Sequence, residues 1–278
     1  MRVKSFMGFL SKPRAGSLAV AICLGVPVAQ SAEFTAYNTY LQPPFLHDDG
    51  TGIAAVLVDF LNRQFKGLHT IKLVHMPRAR LVATQLVQAE KFDGIGLLLA
   101  PPFVGDAGKT RFLWSRPLFE DYNVLIFRGP QTPPYTHLKE LKGMTFGSIR
   151  GNQYNRLDDM VEKGELTVEK NTNELSNIRK VILGRVDFTQ MNQLVYFSLI
   201  SKWGLSGEVR AIAVPEVPSF QRHIFVGHNN PALAAQIDAA LLALPCDPQW
   251  QRETKRNGAD VPPCLVRNGS RSAAGVTD

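Results

Sequence analysis

The sequence predicts an α/β fold with mostly parallel sheets, in which one body is interrupted by a second. Three observations predict it. Short apolar runs alternate with amphipathic stretches from residue 34 to residue 244, the pattern of strands joined by crossover helices. Residues 93–99 (DGIGLLL) form a continuous apolar run, as expected of a parallel strand buried on both faces. Two proline-containing breaks, at 114–120 and 215–220, separate segments of similar strand–helix pattern. The chain is therefore expected to leave the first body and return to it, its two crossings forming a hinge.

Each element has its own signal. Residues 34–37 read as a strand, followed by the turn-rich Gln42-Pro43-Pro44-Phe45 and His47-Asp48-Asp49-Gly50. Ile53, Val56, Leu57, Phe60 and Leu61 fall at i, i+3, i+4, i+7 and i+8, one apolar face of a helix. A strand at 71–74 and a helix over 78–90 precede the buried run at 93–99. Residues 122–128 and 144–149 read as strands, and a helix is expected to begin near Asn152. Leu175, Ile178, Val181 and Ile182 mark another helix, ended by Gly184. A short strand at 186–188, a helix at 193–203 and a strand at 209–214 follow. Asn230 and Pro231 make a helix start, with Asn as cap and Pro at the first position.

Composition narrows the class. With 278 residues, 45% hydrophobic and 20% charged, the chain is globular rather than disordered or fibrous. Its formal charge is +7, but Arg2, Lys4, Lys12 and Arg14 supply four of those charges. The rest of the chain has no strong claim on nucleic acid. Residues 1–32 read as a secretory signal: a basic start, an apolar run over 15–28 too short to span a bilayer comfortably, then Ala29-Gln30-Ser31-Ala32. Its removal takes Cys23 away and leaves Cys246 and Cys264, 18 residues apart. In an oxidising compartment such a pair is most simply one disulfide.

A set of short motifs adds to this reading. They are Pro43-Pro44-Phe45, Gly52 before the first helix, Phe92-Asp93-Gly94, and Phe112-Leu113-Trp114-Ser115-Arg116-Pro117. Leu141-Lys142-Gly143-Met144-Thr145-Phe146-Gly147, then Gly151, and Gly184-Arg185-Val186-Asp187 complete it. In this order and spacing, over about 34–244, the chain resembles the periplasmic solute-binding proteins of family 3, which includes polar amino-acid receptors. The resemblance implies a two-lobed type II periplasmic-binding-protein-like fold, two mostly parallel sheets joined by a two-stranded hinge. Lobe 1 is expected over 33–117 plus 219–278, and lobe 2 over 118–218. It also implies a periplasmic monomer that closes on a small solute and serves a membrane permease or sensor, with no cofactor.

Positions matching the family's cleft are the candidate ligand contacts. Tyr37, Asn38 and Tyr40 lie at the end of the first strand, and Arg78 and Arg80 follow the second. An Arg at a helix N-terminus opposes the dipole, which argues for a role of one of them. Arg150, Gly151, Asn152, Gln153 and Tyr154 lie between a strand and an expected helix N-terminus, where free N–H groups suit a carboxylate or phosphate. Gln190, Met191 and Asn192 form a further cleft edge, and Asp187 is expected to be structural.

Departures from the family pattern point to a different ligand. The usual carboxylate-binding Arg is replaced by Gly108, with Arg111 nearby, and the acid that receives an ammonium falls at Asn192. A small polar or anionic solute is therefore expected rather than a standard α-amino acid. No esterase elbow, zinc-protease helix or phosphate loop occurs, so no catalytic residue and no metal site are expected. The alternative is an enzyme on this scaffold resembling cyclohexadienyl dehydratase, with Glu120, Asp121 or Glu174 as proton donor. A ligand-sensing module is a third possibility.

Overall fold

A computed structural model describes residues 32–129 and 135–265, besides Met1. The expected signal over 1–32 lies outside the described residues, Ala32 apart. Ala32 is instead the first residue of strand β1 (Ala32–Asn38).

The first sheet opens with β1, helix α1 (Ile53–Gln64), β2 (His69–His75), α2 (Arg78–Thr84) and β3 (Gly94–Leu99). Two short strands, β4 (Leu113–Trp114) and β5 (Phe119–Asp121), lead out of it. The second sheet is built from β6 (Asn123–Arg128), β7 (Thr145–Ile149), α3 (Arg156–Glu162), β8 (Thr167–Asn171), α4 (Glu174–Ile182), β9 (Phe188–Asn192), α5 (Gln193–Trp203) and β10 (Val209–Ala213). The chain then returns through β11 (Phe220–Val226), α6 (Pro231–Ala240) and α7 (Pro248–Arg256).

Strand order is β2-β1-β3-β11-β4 in the first sheet, with β5 on β11, and β10-β6-β9-β7-β8 in the second. Both sheets are mixed. β1 pairs in parallel with β2 and β3, and β7 with β8 and β9. The remaining pairings are antiparallel, because each involves β11 or β6, the strands next to the crossings. At the crossings β5 and β11 pair with each other, Asp121 opposite Phe220 and Phe119 opposite Arg222.

That pair of strands holds a fully buried ion pair. Arg222 Nε donates to Asp121 Oδ2 at 2.5 Å, and neither side chain is exposed. Arg222 Nη1 donates to the Leu98 carbonyl at 2.6 Å. The guanidinium lies 4.3 Å from the Tyr40 ring centre and 4.6 Å from that of Phe45, so aromatic faces replace water around it. Leu98 itself has φ +60, an uncommon conformation for a branched residue. It lies where the β3–β11 register shifts, and the Arg222 bond secures its carbonyl.

Several expected elements are corrected. The helix expected over 78–90 ends at Thr84, because Arg111 Nη2 takes the Leu86 carbonyl at 3.0 Å and Leu86 turns into a buried cluster with Phe92, Phe112 and Phe225. The helix expected near Asn152 begins at Arg156, after a six-residue loop. The strand placed at 186–188 is Phe188–Asn192. Asn230 does not cap α6 with its side chain, which donates to Asp93 Oδ1 at 2.7 Å instead. Helix α7 was not expected, although Asp247-Pro248 carries its start signal: Asp247 accepts from the Gln249 and Trp250 N–H groups. It packs on α1, with Arg63 bonded to Asp247 at 2.6 Å, and Cys246 and Cys264 are disulfide-bonded beside it.

Candidate functional site

A cavity of about 350 Å³ opens between the two sheets, lined from both. The first sheet contributes the segment after β1 (Thr39, Tyr40, Leu41, Gln42), the start of α2 (Pro77, Arg78, Ala79), and Pro102 and Phe103 beyond β3. The second contributes the loop after β7 from Arg150 onward, Thr172 and Glu174 at the start of α4, and Gln190, Met191 and Asn192 of β9. These are carboxyl ends of strands and the loops beyond them, where open α/β sheets hold ligands.

The loop after β7 is braced from within. The Tyr154 hydroxyl accepts from the Ile149 N–H at 2.9 Å, and its ring sits edge-on to Phe146. Burial pushes the Tyr154 phenol up to about 12. Asp158 accepts from the Tyr154 N–H at 2.5 Å, so this N–H is not open to a ligand. Gly151 has φ +80, which the turn requires of a residue without a Cβ. A Cβ added there would lie 3.7 Å from that of Ala79 on the opposite side of the cavity.

On the first side, Phe103 contacts two key residues. The Arg78 guanidinium stands 5.4 Å from its ring centre, and Phe220 of the crossing strand packs edge-on at 4.8 Å. Tyr40 lines the cavity with its ring against both Phe45 and Arg222. Glu174 is half-buried at the first position of α4, and burial raises its carboxyl above the usual carboxylate range. Its retained proton is therefore lost only at higher pH, and the ionised form costs stability there. Glu174→Gln should raise the melting temperature at pH 7.5 and change it less at pH 4, where the Glu174 carboxyl is mostly protonated in the folded and the unfolded chain alike; melts at the two pH values check this.

Of the sequence-derived candidates, Tyr40, Arg78, Arg150, Gly151, Asn152, Gln153, Tyr154, Gln190 and Asn192 line the cavity together. Three do not. Tyr37 packs on Phe92 and reaches Gln85, away from the cavity. Asn38 is fully buried and ties strand ends together, bonding the Tyr40 carbonyl at 2.8 Å and His75 Nδ1 at 3.1 Å. Arg80 is exposed, since α2 turns its third residue away from the face of Arg78. Arg111 does not reach the cavity either: its guanidinium binds the Val104 and Leu86 carbonyls and lies against Phe112. The helix N-terminus expected beside Gly151 is displaced to Arg156, so the loop after β7 lines the cavity together with the first residues of α3, Arg156 and Leu157.

The acids considered as proton donors separate clearly. Asp121 is buried in its ion pair, Glu120 bonds Ser219, and Glu174 alone lines the cavity. Phe103 and Pro102 were not anticipated; the Pro101-Pro102 turn after an apolar strand was their only signal.

Among the described residues, no group of three His, Cys, Asp or Glu could hold a metal, and no helix is long and apolar enough to cross a membrane. His47 bonds Glu253, and Asp49 bonds Thr51.

No protein-family model and no curated protein matches the chain. Solved structures do. An ancestral arginine-binding protein bound to arginine is 18% identical with a TM-score of 0.62, covering 81% of this chain and 97% of its own. A structure from work on glutathione import through GshT and the cystine importer TcyBC of Streptococcus mutans is 15% identical with a TM-score of 0.66, covering 84% and 98%. A histidine kinase sensor domain similar to periplasmic binding proteins is 14% identical with a TM-score of 0.63, covering 84% and 99%. The chain thus has the two-lobed α/β fold of type II periplasmic binding proteins, its two sheets joined by a pair of crossing strands.

Proposed function

We infer that the protein is an exported solute-binding protein that captures a small polar or anionic solute between its lobes and closes by bending at the paired crossings. The observation that carries this reading is the cavity lined from both sheets, with Arg78 on one side and Arg150 on the other. Closure follows if solute binds the closed arrangement more tightly than the open one. The lobes are taken as 33–117 plus 219–278 and 118–218, with 1–32 as the export signal. Delivery to a membrane permease or a sensor is the role that similarity to importer-associated and kinase-sensor structures supports. Glu174 favours a second reading, because it lines the cavity and burial raises its carboxyl above the usual range, which suits a proton donor.

A thermal-shift screen across a metabolite library tests the first reading. A solute at a hundred times its Kd stabilises the fold by about 2.7 kcal/mol, a rise of roughly 5–10 °C. Arg150→Ala with Asn152→Ala should abolish the solute-induced fall in radius of gyration seen by small-angle scattering. Unchanged affinity in that variant would remove the loop after β7 from the site. Conversion of the stabilising solute by wild type, lost in Glu174→Gln, would establish the second reading.

A further inference from the structure

We propose that Arg78 and Arg150 grip a single carboxylate from opposite lobes, and that this shared anion gates closure. The inference rests on the solute-binding reading and narrows it to small organic acids with an apolar body. Both arginines line the same cavity. Each stands just before a residue of a close contact between the two sides: Arg78 precedes Ala79, and Arg150 precedes Gly151. A Cβ on Gly151 would stand 3.7 Å from that of Ala79. Neither guanidinium has a carboxylate partner among the described residues, whereas the third cavity arginine, Arg156, is paired with Glu216 at 3.2 Å. Two like charges without a carboxylate partner thus border one cavity from its two sides. They oppose closure until an anion lies between them, and a guanidinium fork suits a carboxylate.

The rest of the wall fits the remainder of such a solute. Tyr40, Phe103, Pro77 and Val195 offer aromatic and aliphatic residues that suit an apolar body, and Asn152, Gln153, Gln190 and Asn192 offer it hydrogen bonds. Glu174, the one carboxyl among the lining residues, has no ion-pair partner among the described residues. Phe103, touching both Arg78 and Phe220 of β11, links the anion to the crossing strands.

Acid–amide pairs test this on the full chain: acetate and acetamide, benzoate and benzamide, 3-phenylpropanoate and its amide. We expect an acid, with its apolar body, to stabilise the protein while its amide does not. Arg78→Gln and Arg150→Gln should each weaken that acid about 30-fold or more. The double variant should be little weaker than either single one, because both arginines serve one group. Arg78→Gln should also shift the solute-free radius of gyration toward the closed value, since the opposing charge is gone. Binding of amides as tightly as acids, fully additive losses, or an unchanged solute-free radius would each overturn the proposal. So would failure of every acid in the panel. If a library solute lacking a carboxylate then stabilises the protein and closes it, solute binding stands and only the shared-anion inference falls.

Discussion

Asp121→Asn should destabilise the protein by about 3–5 kcal/mol, lowering the melting temperature by roughly 10 °C. Arg222 is fully buried and its Nε donates to Asp121 Oδ2 at 2.5 Å. Its Nη2 already lacks a hydrogen-bond partner. Neutralising Asp121 leaves a guanidinium charge that water cannot reach, with only the Leu98 carbonyl and the surrounding rings to balance it. Asp121→Leu with Arg222→Met should recover most of the loss, because two apolar side chains need no counter-charge. Chemical denaturation of the single and double variants reads both effects. A single variant as stable as wild type would show that the pair contributes little to the crossing.

Asp106→Ala carries the second large effect. Asp106 is 2% exposed and its carboxylate accepts from four donors: the N–H groups of Thr110, Arg111 and Phe112, and Trp114 Nε1 at 2.7 Å. Burial alone would raise its carboxyl, but these donors outweigh it and hold the pKa below the ordinary value. Truncation leaves all four without that acceptor; Thr110 is exposed and Arg111 half-buried, so water can replace it there, and the loss of the other two bonds to a charged group costs about 3–6 kcal/mol. Trp114 also packs 4.8 Å from Phe225, so the change should redden its emission. The sign with pH follows from the lowered pKa: Asp106 stabilises the fold above the ordinary Asp range, and that contribution fades as pH falls through its folded value. Wild type and variant should therefore converge in acid, as melts at pH 7 and pH 3 would show.

The elements most legible in the sequence are those whose burial is uniform or strictly periodic. Residues 94–99 are buried at every position, and an unbroken apolar run encodes that directly. The face of α1 is legible for the same reason: Ile53, Leu57, Phe60 and Leu61 are all buried. Misreadings arise where a long-range contact decides. Helix α2 stops because Arg111, 25 residues from Leu86, claims its carbonyl, and no local pattern contains that bond. The loop before α3 was taken for a helix start because Gly151 signals a turn, but the sequence does not say how many residues follow before the helix. In the cavity, the edges at 150–154 and 190–192 were legible from their place after strands. Tyr37 and Asn38 were not, because alternation along β1 turns neighbours to opposite faces and neither faces the gap. Phe103 stayed hidden because its neighbour in space, Phe220, is 117 residues away in the chain.

The way β11 is shared among β3, β4 and β5 carries a consequence for synthesis. The second sheet is assembled wholly from residues 123–213, so it can close as soon as that stretch has left the ribosome. The first sheet cannot, since three of its strands await a partner made about a hundred residues later. Until residue 226 arrives, the edge of β3 stays open. A nascent chain of this kind thus keeps its first sheet unfinished through most of translation, while its second sheet is already complete.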